Sequence, residues 1–177
     1  MLKKIFSPPK SATLPISTIS SSLILIIFFS LSIFLPTVIH QQAITGSIVN
    51  ALLFLTTAIF GTSSAMLLGL IPSTVALSSG LLPLVLAPIV PFIILSNTLL
   101  VLVFSKLSQH GFGLAVILAS LVKFIFLFIT SQYLLVRLLP NQFLSTASQM
   151  FSWPQLITAL AGGVMAQIFF KNIFYKN

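Results

Sequence analysis

"GLAVILASLVKFIFLFITSQYLLVRL", residues 113–138, is apolar over nearly its whole length and carries Lys123 near its middle. A helix rises about 1.5 Å per residue, so about 20 apolar residues cross a ~30 Å hydrocarbon core. This stretch is long enough, and it reads as a membrane span. The whole chain extends that reading. Of 177 residues, 58% are hydrophobic and only 5% charged, with a mean hydropathy of +1.20, a composition that excludes a soluble domain of this size. A β-barrel would need short alternating strands, and the runs here are long and continuous. Helices satisfy their own backbone in lipid, so the sequence predicts an all-α membrane protein.

Working outward from Lys123, six spans are predicted at about 16–35, 43–60, 64–79, 84–104, 113–138 and 150–170, forming one integral membrane domain over residues 1–177. Turn chemistry separates them in "PTVIHQQ", "FGTSS", "SSGLLP", "KLSQHGFG" and "LLPNQFLSTASQ". The third span is the short one, and Pro72 lies within it. At sixteen residues it reaches only about 24 Å, so a re-entrant segment is the alternative. Charge decides between them. With six spans and a cytoplasmic N-terminus, Lys3, Lys4, Lys10, Lys106, Lys171 and Lys176 fall inside and only Arg137 falls outside. Five spans would divide the same flanking charges almost evenly, so the positive-inside rule favours six, with both termini cytoplasmic. Lys3 and Lys4 followed by an apolar run also suit a signal peptide. No small-residue cleavage site follows, and Ile16 to Leu35 is long enough to span, so a retained first helix is expected.

The chain has no Asp, no Glu and no Cys, and its His residues are His40 and His110, both in predicted loops. Thiolate chemistry, a carboxylate acid–base pair, a Ser-His-Asp triad and a clustered metal site are excluded or left without ligands. There is no GxxxxGK[ST] phosphate loop. The formal charge of +8 forms no basic patch interleaved with aromatics, so nucleic acid is not an expected partner. The expectation is a non-enzymatic protein that needs no cofactor and no metal.

The sparse polar residues within spans fall on shared faces. Ser47, Asn50 and Thr57 lie on one side of the second span; Ser120, Lys123, Thr130 and Arg137 repeat the same three-and-seven spacing in the fifth. Ser96 and Asn97 sit together in the fourth, and "MFSWPQ" puts Trp153 and Gln155 at the start of the sixth. Helix–helix hydrogen bonding accounts for Ser47, Thr57, Ser96 and Thr130 without a ligand. Trp153 also suits an interfacial belt. Lys123 is different. It sits about 15 Å into its helix, where a charge costs on the order of 2.5–3.5 kcal/mol. With no side-chain carboxylate in the chain, it has three ways out: a neutral amine, donation to backbone carbonyls or Asn97, or an anionic ligand. Lys123, Asn97, Asn50, Trp153 and Gln155 are therefore the candidate substrate-binding residues.

Three segments, "TGSIVNALLFLTTAIFGTSSAMLLGLIPS", "LAPIVPFIILSNTLLVLVF" and "MFSWPQLITALAGG", resemble the S components of energy-coupling factor (ECF) transporters, and a poorly characterised branch of small S components in particular. The resemblance covers roughly residues 43–165. It implies six helices with cytoplasmic termini in a bacterial cell membrane. It implies an outward pocket for a vitamin or other trace nutrient, closed by the loops Pro36 to Gln42 and Ser79 to Pro83. It also implies partners: a transmembrane coupling subunit and two ATPase subunits that supply the energy this chain lacks. S components often dock the coupling subunit through an Ala-xxx-Ala pattern on the first helix. Here Thr13, Ser17 and Ser21 take that spacing, and their small side chains still permit close helix approach. The competing readings are a structural or assembly subunit of another membrane complex, and a small pore.

Overall fold

A computed structural model describes residues 18–174, and all of the regular structure in them is helical. The elements are α1 (Thr18–Val38), α2 (Gln42–Phe60), α3 (Thr62–Ser78), α4 (Val90–Leu107), α5 (Phe112–Tyr133), the single turn α6 (Leu135–Leu138), α7 (Asn141–Met150) and α8 (Trp153–Phe174). A 3₁₀ segment, Leu84–Ile89, leads into α4. The six principal helices, α1 to α5 and α8, run alternately up and down; short connections join α1 to α5, and α6 and α7 bridge α5 to α8. Gly61 alone joins α2 to α3, with a φ of 87° that a side chain would resist.

Five of the six principal helices are long and apolar enough to cross a membrane. The exception, α3, has 17 residues, yet hydrogen bonds tie its two ends to opposite ends of the bundle. Thr62 Oγ1 lies 2.7 Å from Ser105 Oγ near the end of α4, and Ser79 Oγ donates to the Pro36 carbonyl near the end of α1. A re-entrant segment would return to the side it left; α3 does not.

Helix α8 packs against α2 and α5. Ala159, Gly162, Gly163 and Ala166 put small residues at three- and four-residue spacing on α8, and all four are buried. A Cβ at Gly162 would come within 2.5 Å of the Ser47 carbonyl oxygen and 2.7 Å of Asn50 Cβ, and one at Gly163 would run into Val116. Glycine is what lets α8 lie directly on the α2 backbone.

Two apolar clusters fill the interior. The larger lies towards the end that carries Lys106 and Lys171, and joins α2, α4, α5 and α8 through a chain of rings: Phe54, Phe104, Phe112 and Phe170, with successive centroids 4.9, 5.0 and 5.6 Å apart. The smaller lies at the opposite end, around Leu86, Ile89, Leu127, Leu135 and Phe151. Between them is a polar layer containing Lys123.

Several predicted boundaries are corrected. The stretch "LLPNQFLSTASQ" was expected to be loop, but most of it lies in α7, Asn141–Met150. Pro140 sits at the N-cap position, and no breaker follows until Pro154. The fifth span ends at Tyr133 rather than 138, so Arg137 belongs to the separate turn α6. Arg137 is exposed and does not continue the Lys123 face. The first helix runs through Pro36 to Val38, so the expected Pro36–Gln42 loop shrinks to residues 39–41. The α-helix of the fourth span starts six residues late, at Val90 instead of Leu84, because Pro88 and Pro91 favour a 3₁₀ lead-in and a preset first turn. Thr13 and Ser17 lie outside the described residues; Ser21 is half-buried on α1.

Candidate functional site

Lys123 projects from the middle of α5 and is 3% exposed. Its amine donates to Asn50 Oδ1 of α2 at 2.8 Å and to Asn97 Oδ1 of α4 at 2.7 Å. Asn97 in turn donates through Nδ2 to the Gly69 carbonyl of α3 at 3.3 Å. One network thus joins four helices. A lysine amine has three N–H donors when charged and no acceptor, which is why both asparagines turn their oxygens towards it. Two of those donors are used within the protein.

The network forms the floor of a cavity of about 110 Å³. Asn50 lies eight residues beyond the start of α2 and Asn97 seven beyond the start of α4, so the floor sits roughly 10–12 Å below that end of the bundle. The wall is mainly apolar, with Val49, Pro72, Leu82 and Ile93 among its residues. Gln42, Met150 and Gln155 come from helix ends and mark the mouth. Ser73 and Gln42 also line the cavity, and neither side chain hydrogen-bonds to another described residue. Pro36, at the end of α1, completes the rim on the side of α3.

The structure therefore gathers Lys123, Asn50, Asn97 and Gln155 around one cavity. Trp153 is not among its lining residues. It is 66% exposed and stacks on Phe124 with centroids 5.4 Å apart, a placement that suits an interfacial ring. Gln155 donates to the Met150 carbonyl at 3.1 Å and so ties the start of α8 to the end of α7. Four other polar residues of the spans bond within their own helices: Ser47 to Ala43, Thr57 to Leu53, Ser96 to Ile93 and Thr130 to Phe126. Ser120 shares the Lys123 face but is fully buried on the packed side, and its hydroxyl has no partner among the described residues.

Sequence reasoning missed Thr45, Ser73 and Met150. A signal existed for Thr45: Gln42, Thr45, Val49 and Asn50 recur at helical spacing, so the Asn50 face extends to the start of α2. Met150 carried none, since its place depends on α7. Chemically, the site offers an amine, amides and the hydroxyls of Thr45 and Ser73. Among the described residues no three of His, Cys, Asp and Glu come together.

No family model matches the chain, and no curated protein or solved structure is significantly similar to it. By helix length and hydropathy this is an all-helical, multi-pass membrane protein.

Proposed function

We propose that the protein is the solute-capturing membrane subunit of an importer, of the ECF S component kind, and that it holds an anionic trace nutrient in the cavity above Lys123. One observation carries the reading. A buried amine halfway along α5 meets, among the described residues, only amide oxygens, at the floor of a cavity, in a chain with no side-chain carboxylate. A charge so placed costs free energy, and an anion entering the cavity offsets that cost. The reading is one of binding without catalysis.

Charge placement supports uptake. Lys106 and Lys171 lie at the packed end and Arg137 at the mouth end, so the positive-inside rule turns the mouth outward. Energy then comes from partner subunits, a transmembrane coupling protein and two ATPases. The first helix offers them the most free surface: only 22% of its apolar window is buried, against 56% for α2. Thr13, Ser17 and Ser21 are the proposed docking positions.

A second reading draws on the same network. The three residues bond to each other, as polar glue in an assembly subunit would. Native mass spectrometry of the detergent-purified chain separates the two. Capture predicts a co-purified small molecule that is lost in Lys123→Met. A chain that carries no small-molecule mass, and leaves the membrane only as a tight protein complex, would establish the assembly reading.

A further inference from the structure

Resting on the capture reading, we infer that the cavity selects a compact monocarboxylate: one negative charge, no amine, and a short apolar body. Three features of the site set this class.

The first is charge. The described lining holds one ionisable group, Lys123, and the chain has no Asp or Glu to add another. A monoanion makes the buried charges sum to zero. A dicarboxylate or doubly charged phosphate leaves one negative charge unmatched in a low-dielectric site. An amino acid brings its own ammonium, for which the site has no carboxylate.

The second is size. A dry cavity of roughly 150 Å³ takes one benzene ring. At about 110 Å³ this one takes a solute of about four to five heavy atoms below its mouth.

The third is the split between floor and wall. Two of the Lys123 donors go to Asn50 and Asn97, so a third remains for one carboxylate oxygen. The Ser73 hydroxyl, unengaged among the described residues, is a second donor in the lining. Val49, Pro72, Leu82 and Ile93 give the rest of the solute an apolar surface. A carboxylate at the floor with a hydrocarbon tail towards the mouth matches that split.

The test uses the full chain in nanodiscs, titrated calorimetrically with five probes of similar size: propionate, propionamide, alanine, malonate and inorganic phosphate. A solute this small binds no tighter than about 1 μM, so titrations extend into the millimolar range. Propionate is expected to bind saturably, and each of the others at least about tenfold more weakly. Malonate, phosphate or alanine binding as tightly as propionate overturns the class. So does propionamide, since it lacks the charge. Two variants locate the site. Lys123→Gln removes the cation. Asn97→Asp keeps the size and burial of the side chain but supplies the carboxylate that the chain lacks. Both are expected to abolish propionate binding, and Asn97→Asp is expected to stay folded because its pairing with Lys123 offsets the lost bond to the Gly69 carbonyl. Propionate binding that survives in a folded Asn97→Asp protein overturns the inference. If no probe binds while native mass spectrometry still finds a captured solute, the class is wrong and capture stands. If neither is found, both fall.

Discussion

The two ends of the bundle are built in opposite ways. Towards Lys106 and Lys171, four phenylalanines from four helices interlock, and Gly163 of α8 presses onto Val116 of α5 with no room for a methyl group. At the other end the same helices stand around a cavity. The elements there are the ones that regular helices do not supply: a proline inside α3, a 3₁₀ lead-in to α4, and the short α7 with its Met150 at the mouth. The difference teaches how a small membrane protein keeps an opening without collapsing. One half is packed hard enough to fix the helix positions, and the other half need not be. The Lys123 network sits at the boundary, where its hydrogen bonds hold α2, α3, α4 and α5 at set distances.

Mutations on each side should separate the two halves. The largest loss is expected for Phe104→Ala. Phe104 is fully buried between Phe54 and Phe112, so its truncation should cost about 3–5 kcal/mol of stability in detergent unfolding. Gly162→Ala should follow, at about 1–3 kcal/mol, because the added Cβ meets backbone of α2 that cannot move alone. That variant also sharpens the comparison. The clash includes Asn50 Cβ, so solute retention should fall together with stability. Ser73→Ala should be the mildest, within about 0.5 kcal/mol, because the removed hydroxyl lines open space and bonds to no described residue. A Ser73→Ala protein as unstable as Phe104→Ala would mean that the mouth half is packed like the other.

Much of this was legible in the sequence, for a simple reason. In lipid each helix must satisfy itself, so hydrophobic length alone locates it. The start of α2 falls one residue from the expected 43, and its end falls at the expected 60. The depth of Lys123 followed from counting along one helix. The partners across helices were harder to see. Asn97 suggested itself as an amide near mid-membrane, and Asn50 lay on a polar face, but which faces meet is set by packing. Gly162 is the clearest case: the small-residue spacing of α8 marks a packing face, but nothing in it states that the Asn50 segment of α2 is what meets that face. Trp153 shows the reverse. A large ring beside Gln155 looked like part of a pocket, yet it starts α8 on the side that stacks against Phe124. The helix α7 was missed because a ten-residue polar stretch after a proline reads as loop when its amphipathic pattern is not weighed.

The absence of cysteine makes one measurement especially direct, since any introduced thiol is the chain's only one. Ser73→Cys on the cavity wall and Ala115→Cys in the packed half would each be exposed, in nanodiscs, to a small anionic thiol reagent. The account predicts rapid modification at position 73, slowed by a saturating solute, and none at position 115. Equal resistance at both positions would mean that solid packing fills the space above Lys123, and the proposed chamber would not exist.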